Sequence, residues 1–332
     1  MKYEIHYLRG IAILLIISSH ILSADVSGFF YRLLRLFFEN STLLFAFISG
    51  YLFQYLTSKY HYRNYLIKKF NYVILPYLVI SIPLITFRVL QEHSFLALST
   101  AEFIEGRSLV YQILFYITTG LHLVPYWYIP LISVFFLLAP VFYYVDKRPK
   151  MYWILPVLLV LAQLLPRDEF QDITKFWTMF GHFAFIYVFG MFASHYQDKL
   201  DSLNKKYYYV VVALFVCTSL LSIFYDAFRA QIVYFQKVML IFVLLETLIK
   251  FKSKRVEGFL SKMADTSFGM YFVHYVIILL LRNISLRLFG NELPLSVAEW
   301  IITYLIVLGL SYYMVRLMQV IFKKNSRFLI GS

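Results

Sequence analysis

Residues 7–20 read YLRGIAILLIISSH. The stretch lies in a longer run, 7–25, close to the roughly 20 residues an α-helix needs to cross about 30 Å of hydrocarbon. Two side chains break its apolar character, Arg9 and His20, eleven residues apart. At 100° per residue, eleven steps close to within about 20° of three turns, so both leave one helix face, separated by about 16.5 Å along the axis. Ionisable groups inside a span are costly to bury, and each is by default a functional candidate.

Nine further runs follow, at 31–56, 72–91, 127–145, 151–166, 176–194, 207–225, 231–250, 267–288 and 296–322. The segment 109–121 (LVYQILFYITTGL) is apolar but too short to span, and reads as an interfacial or re-entrant piece within a long 92–126 connection. The chain is 61% hydrophobic and 15% charged, against about 45–50% and about 25% in soluble domains. These values exclude a soluble enzyme and a disordered chain. The net charge of +13 does not mark a nucleic-acid partner, because the basic residues form short clusters between apolar runs rather than one patch. The single cysteine, Cys217, excludes an intrachain disulfide and a cysteine metal site.

Lysines and arginines orient the spans. Nineteen fall on one side, among them Arg63, Lys68, Lys69, Lys147, Lys205, Arg255 and Lys324, and seven on the other, among them Arg35, Arg107 and Arg229. The positive-inside rule makes the rich side cytoplasmic. The fold class expected is therefore an all-α, polytopic membrane bundle of about ten helices with both termini in the cytoplasm and no separate soluble domain. Lys2, the first run and SADV at 23–26 resemble a cleavable leader; Arg9 and His20 interrupt that run, so a span is the reading. No internal repeat is visible, which weighs against transporters built from two halves.

Further ionisable groups fall within spans. Glu39, His182 and Lys237 sit in the outer halves of theirs, and convergence on His20 would make a buried polar cluster; the plainer alternative is a structural Glu39–Lys237 ion pair. In SFGMYFVH at 267–274, Tyr271 and His274 share a face at i, i+3. A span beginning at 267 on the basic side puts His274 in the inner half, at another depth from His20, so the two histidines do not suggest one metal site. No metal-binding motif and no phosphate-cradling glycine loop is present.

The chain resembles the acyltransferase 3 family of integral membrane O-acyltransferases. The resemblance rests on YLRGIAILLIISSH at 7–20, FISGYLF at 47–53, Lys68 and Lys69 before ILPY at 74–77, YWYIP at 126–130, FIYVFGMFAS at 185–194 and SFGMYFVHY at 267–275, in the family's order. Leu43 stands where the family often has proline, and Lys69 and Asn71 where it often has an arginine pair. The chain looks most like short members acting on surface polysaccharides. The resemblance implies a multi-pass cell-membrane enzyme with acyl-CoA (acetyl-CoA or succinyl-CoA) as co-substrate and no metal. It implies a glycan or lipid-linked sugar acceptor, with the lipid bilayer and polysaccharide synthesis machinery as further partners. On that basis His20 is expected as general base, Glu39 to orient it, and Arg9, Lys68 and Lys69 to hold the donor. Tyr271 and His274 would wall the donor side. The competing reading is a polysaccharide exporter or flippase that performs no acyl transfer.

Overall fold

A computed structural model describes residues 3–22, 29–90, 104–165, 176–225, 227–250, 252–291 and 296–332. The leader-like SADV, residues 92–103 of the 92–126 connection, Lys2, Arg167 and Lys175 lie outside the described residues. Within them the chain is helical and no strand occurs. In chain order come α1 (Tyr3–Ile21), α2 (Phe29–Phe38), α3 (Thr42–Tyr55), α4 (Tyr62–Lys69), α5 (Leu75–Leu90), α6 (Leu109–Thr119), α7 (Tyr128–Leu137) and α8 (Ala139–Asp146). Then follow α9 (Leu155–Leu164), α10 (Phe176–His195), α11 (Gln197–Phe224), α12 (Arg229–Lys250), α13 (Lys254–Phe289), α14 (Val297–Phe322) and α15 (Ser326–Ile330).

Among the described residues, eight helical stretches are long and apolar enough to cross a bilayer, or nine if Leu109–Thr119 and Val124–Leu137, bent by 74°, form one broken span. The run expected at 151–166 falls in the shorter apolar helix Pro149–Leu164. The chain is thus a polytopic helical membrane protein, as its hydropathy predicts. It divides into two compact units, Met1–Leu56 with Phe185–Arg316, and Thr57–Ala184 with Leu317–Ser332.

In the first unit α1 and α13 pack side by side in the same direction, with His6 against Ser261 and His20 against His274. Gly10 permits the approach: a Cβ there would run into the Leu260 carbonyl. Small residues at such crossings let membrane helices gain dispersion contacts that lipid cannot displace. The span Tyr31–Tyr55 is broken at Asn40, whose φ of 57° is left-handed, a conformation asparagine tolerates better than most residues. The break leaves the last carbonyls of α2 without helical partners, and hydrocarbon offers no water to replace them. Lys237 reaches across from α12 and donates to Leu36 O at 2.9 Å and Phe37 O at 2.7 Å.

In the second unit the bend after α6 turns on Gly120, φ 74°, where a Cβ would collide with the Tyr126 carbonyl. The backbone groups released there are met from α5: Tyr77 donates to Ile117 O at 2.8 Å and Arg88 Nε to His122 O at 3.0 Å. The buried His122 ring spans Ser81 Oγ at 2.9 Å and Tyr116 O at 3.2 Å. These groups hold a broken span in shape. The 109–121 piece expected as re-entrant or interfacial is the first limb of this bend.

Candidate functional site

The seam between α1 and α13 carries titratable groups at both ends. At the N-terminal end, Arg9 Nη2 lies 3.4 Å from His6 Nδ1. The other ring nitrogen of His6 lies 3.2 Å from Ser261 Oγ and 3.6 Å from Asp265 Oδ1. Arg9 Nε is buried with no hydrogen-bond partner, and no carboxylate lies within ion-pair distance of the guanidinium among the described residues. A guanidinium needs planar acceptors for its donors; here part of that capacity stays open, as suits a site for an anion or a carbonyl.

Sixteen or so ångströms along α1, by the helical rise, His20 meets an aromatic cluster. Its ring centroid is 5.4 Å from that of His274 and 5.6 Å from that of Tyr275, the latter edge-on at 82°. His274 is fully buried. Its Nδ1 lies 3.0 Å from the Met270 carbonyl one turn back, and its Nε2 has no partner. Tyr271 packs between Phe268 and Phe45, with centroids at 6.2 and 6.4 Å.

The sequence placed His274 at a different depth from His20, and the structure corrects this. Hydropathy starts the span at 267, but α13 begins at Lys254, thirteen residues earlier, so His274 stands about 30 Å along the helix rather than about 10 Å. With 36 residues, α13 is about 54 Å long, and its polar first turns extend the helix ahead of the apolar stretch. The same underestimate hid Ser261 and Asp265, which sit at i, i+4 in those turns. His6 could have been found from its i, i+3 spacing to Arg9.

The cluster expected around His20 is not assembled from Glu39 and Lys237. Glu39 is held by Arg229 at 2.7 Å and Arg35 at 3.3 Å, and Lys237 by the α2 carbonyls rather than by Glu39. His182 belongs to the second unit, where its Nδ1 lies 3.2 Å from Ala162 O and 3.1 Å from Leu165 O at the end of α9. Lys68 and Lys69 also belong to that unit. Lys68 is exposed, and the Lys69 ammonium stands 4.5 Å from the Phe136 ring centre and 5.3 Å from that of Tyr65, a cation–π arrangement. No group of three potential metal-ligating side chains occurs among the described residues.

A residue that sequence reasoning did not single out adjoins His20. Arg282 Nη2 approaches the His20 carbonyl at 3.5 Å and lines a cavity of about 330 Å³ with Ile21, Ile278, Glu299, Ile302 and Ile306. The cavity is almost wholly apolar apart from these two charges.

A family model described as an acyltransferase domain matches residues 2–316. The chain belongs to the acyltransferase 3 family. This acyltransferase is accordingly a membrane enzyme of the acyl-transfer class, and the matched span contains every residue of the α1–α13 seam. Comparisons with curated proteins and with solved structures return no match.

Proposed function

We propose that this acyltransferase moves an acetyl or succinyl group from cytoplasmic acyl-CoA to a hydroxyl of a cell-surface or exported polysaccharide, in the cell membrane. The observation that carries the reading is the contrast along one edge of α1: Arg9 with donors to spare at one end, and His20 among imidazole and phenol rings at the other. Acyl transfer to a hydroxyl needs both a cationic grip on the donor and a base at the hydroxyl.

In this reading Arg9 holds a phosphate of the donor. The donor's extended arm bridges the roughly 16.5 Å to His20. His20 takes the proton of the acceptor hydroxyl, the oxygen attacks the thioester carbon, and the carbon–sulfur bond breaks as coenzyme A leaves. Lys68 remains a candidate for outlying phosphate contacts, since its ammonium is exposed; Lys69 contributes less, with its charge turned to aromatic faces. Glu39 is assigned to the α2–α3 break, and Tyr271 and His274 to the His20 end of the seam rather than to the donor end.

The cavity beside Arg282 supports a lipid-linked sugar as the form in which acceptor arrives. An aliphatic wall suits the lipid chain, and a guanidinium at its edge suits a phosphate headgroup. The proposal is tested by the acyl content per sugar of glycan from cells expressing His20→Ala at the wild-type level. Loss of the acyl mass increment is expected. Unchanged acylation would remove His20 from the reaction, and unacylated glycan that fails to leave the cell would favour an exporter.

A further inference from the structure

We propose that His274 is a positioning residue for His20, accepting a hydrogen bond from its N–H and so fixing which nitrogen of His20 carries the lone pair. The inference rests on the reading of His20 as general base. The Met270 carbonyl, 3.0 Å from His274 Nδ1, can only accept, so Nδ1 carries the proton. In a neutral imidazole the other nitrogen, Nε2, is then an acceptor with its lone pair exposed. That atom is fully buried and has no partner. A buried acceptor left unmet is costly, so an unmet one marks a place where a donor belongs.

His20 supplies the donor. Its ring is 5.4 Å from that of His274, tilted by 36°, near enough for a small rotation or one bridging water to join the nitrogens. Among the described residues the other rings packed against His274 are Tyr271 and Tyr275 of its own helix; His20 comes from α1 and is the ring whose tautomer the reaction requires to be set. Tyr275, edge-on to His20, restricts that ring's rotation.

The proton balance closes. One His20 nitrogen keeps its proton, shared with His274 Nε2. The opposite nitrogen takes the acceptor hydroxyl's proton as the oxygen–carbonyl bond forms. The resulting imidazolium is stabilised by the His274 lone pair and returns that proton to the departing thiolate of coenzyme A. His274 touches neither substrate and is neutral throughout, the role an orienting acceptor plays beside a catalytic base.

The test uses the full chain in lipid nanodiscs, with release of coenzyme A from acetyl-CoA and succinyl-CoA in the presence of oligosaccharide prepared from the expressing cell's surface glycan. His274→Phe keeps the ring's bulk and removes the acceptor; kcat is expected to fall about 100-fold, the lower range for a disabled base, with KM for acyl-CoA within about twofold of wild type. His274→Gln places a carboxamide oxygen where Nε2 stands and is expected to restore about tenfold of the loss. Wild-type kcat in His274→Phe, or equal kcat in the Phe and Gln variants, would overturn the proposal, since packing alone would then explain the residue. If His274→Phe does not fold, His274→Leu against His274→Gln decides by the same criterion. His20→Ala, run in parallel, separates the two readings: full activity there defeats the base assignment itself, whereas an inactive His20→Ala beside a fully active His274→Phe defeats only this inference.

Discussion

The α2–α3 break and the α1–α13 seam both bury charged or titratable side chains within one compact unit, and they treat them differently. At the break the charges are matched: Lys237 donates to two carbonyls, and Glu39 is ion-paired with two arginines. Along the seam Arg9 has no carboxylate within ion-pair distance among the described residues, and its Nε and His274 Nε2 have no hydrogen-bond partner. Unpartnered polar atoms occur at the break too, on Glu39 Oε2 and Gln236 Oε1, so what sets the seam apart is a cation whose charge is not matched, and in hydrocarbon that is costly unless something binds there. Charge inside a membrane helix is therefore a weak guide to function by itself; unmatched charge is the sharper one.

Four substitutions press on that contrast. Lys237→Met should have the largest effect, destabilising by about 3 kcal/mol as two carbonyls lose their donor, read from thermal unfolding in nanodiscs. Activity per folded molecule should change far less than stability; a large fall in kcat in a fully folded variant would move Lys237 out of the structural class. Next comes Gly10→Ala, whose new methyl meets the Leu260 carbonyl and should cost about 2 kcal/mol as an overpacking strain. Because it spreads the seam, its kcat should fall together with its melting temperature, and a kcat loss with unaltered melting would contradict a simple spreading of the helices.

Arg9→Lys should raise KM for acyl-CoA about tenfold, equivalent to about 1.4 kcal/mol, because an ammonium lacks the planar fork of a guanidinium. Equal KM in the two proteins would argue against a bidentate contact with the donor. Glu39→Gln should have the smallest effect, under about 1 kcal/mol of stability, since its ion pairs are partly solvated. A hundredfold fall in kcat without loss of stability would instead restore to Glu39 the orienting role that its depth in the sequence suggests.

The sequence made the helical membrane class plain, because apolar runs of spanning length and a one-sided distribution of Lys68, Lys147, Arg255 and their like need no tertiary information. The shared face of Arg9 and His20 was equally legible from their spacing. Depth was not legible for His274, since hydropathy marks where α13 turns apolar and not where it begins. Partners distant in the chain were also out of reach: nothing in the sequence links His6 to Ser261 and Asp265, or Arg282 to His20. The left-handed turn at Asn40, hidden in an otherwise continuous run, creates the carbonyls that capture Lys237, and without it an ion pair with Glu39 was the natural guess. His182 gave no local sign that the carbonyls ending α9 would bind it.

On this reading His20 performs the proton transfer in acyl transfer from acyl-CoA. That role is tested most directly by following free coenzyme A from purified protein in nanodiscs, with and without glycan, for wild type and His20→Ala at matched folding. Release is expected to depend on both donor and glycan in the wild type and to fall by roughly 10²- to 10⁴-fold in the variant. Glycan-dependent release of equal rate from His20→Ala, or none from the wild type with either acetyl- or succinyl-CoA, would contradict that role.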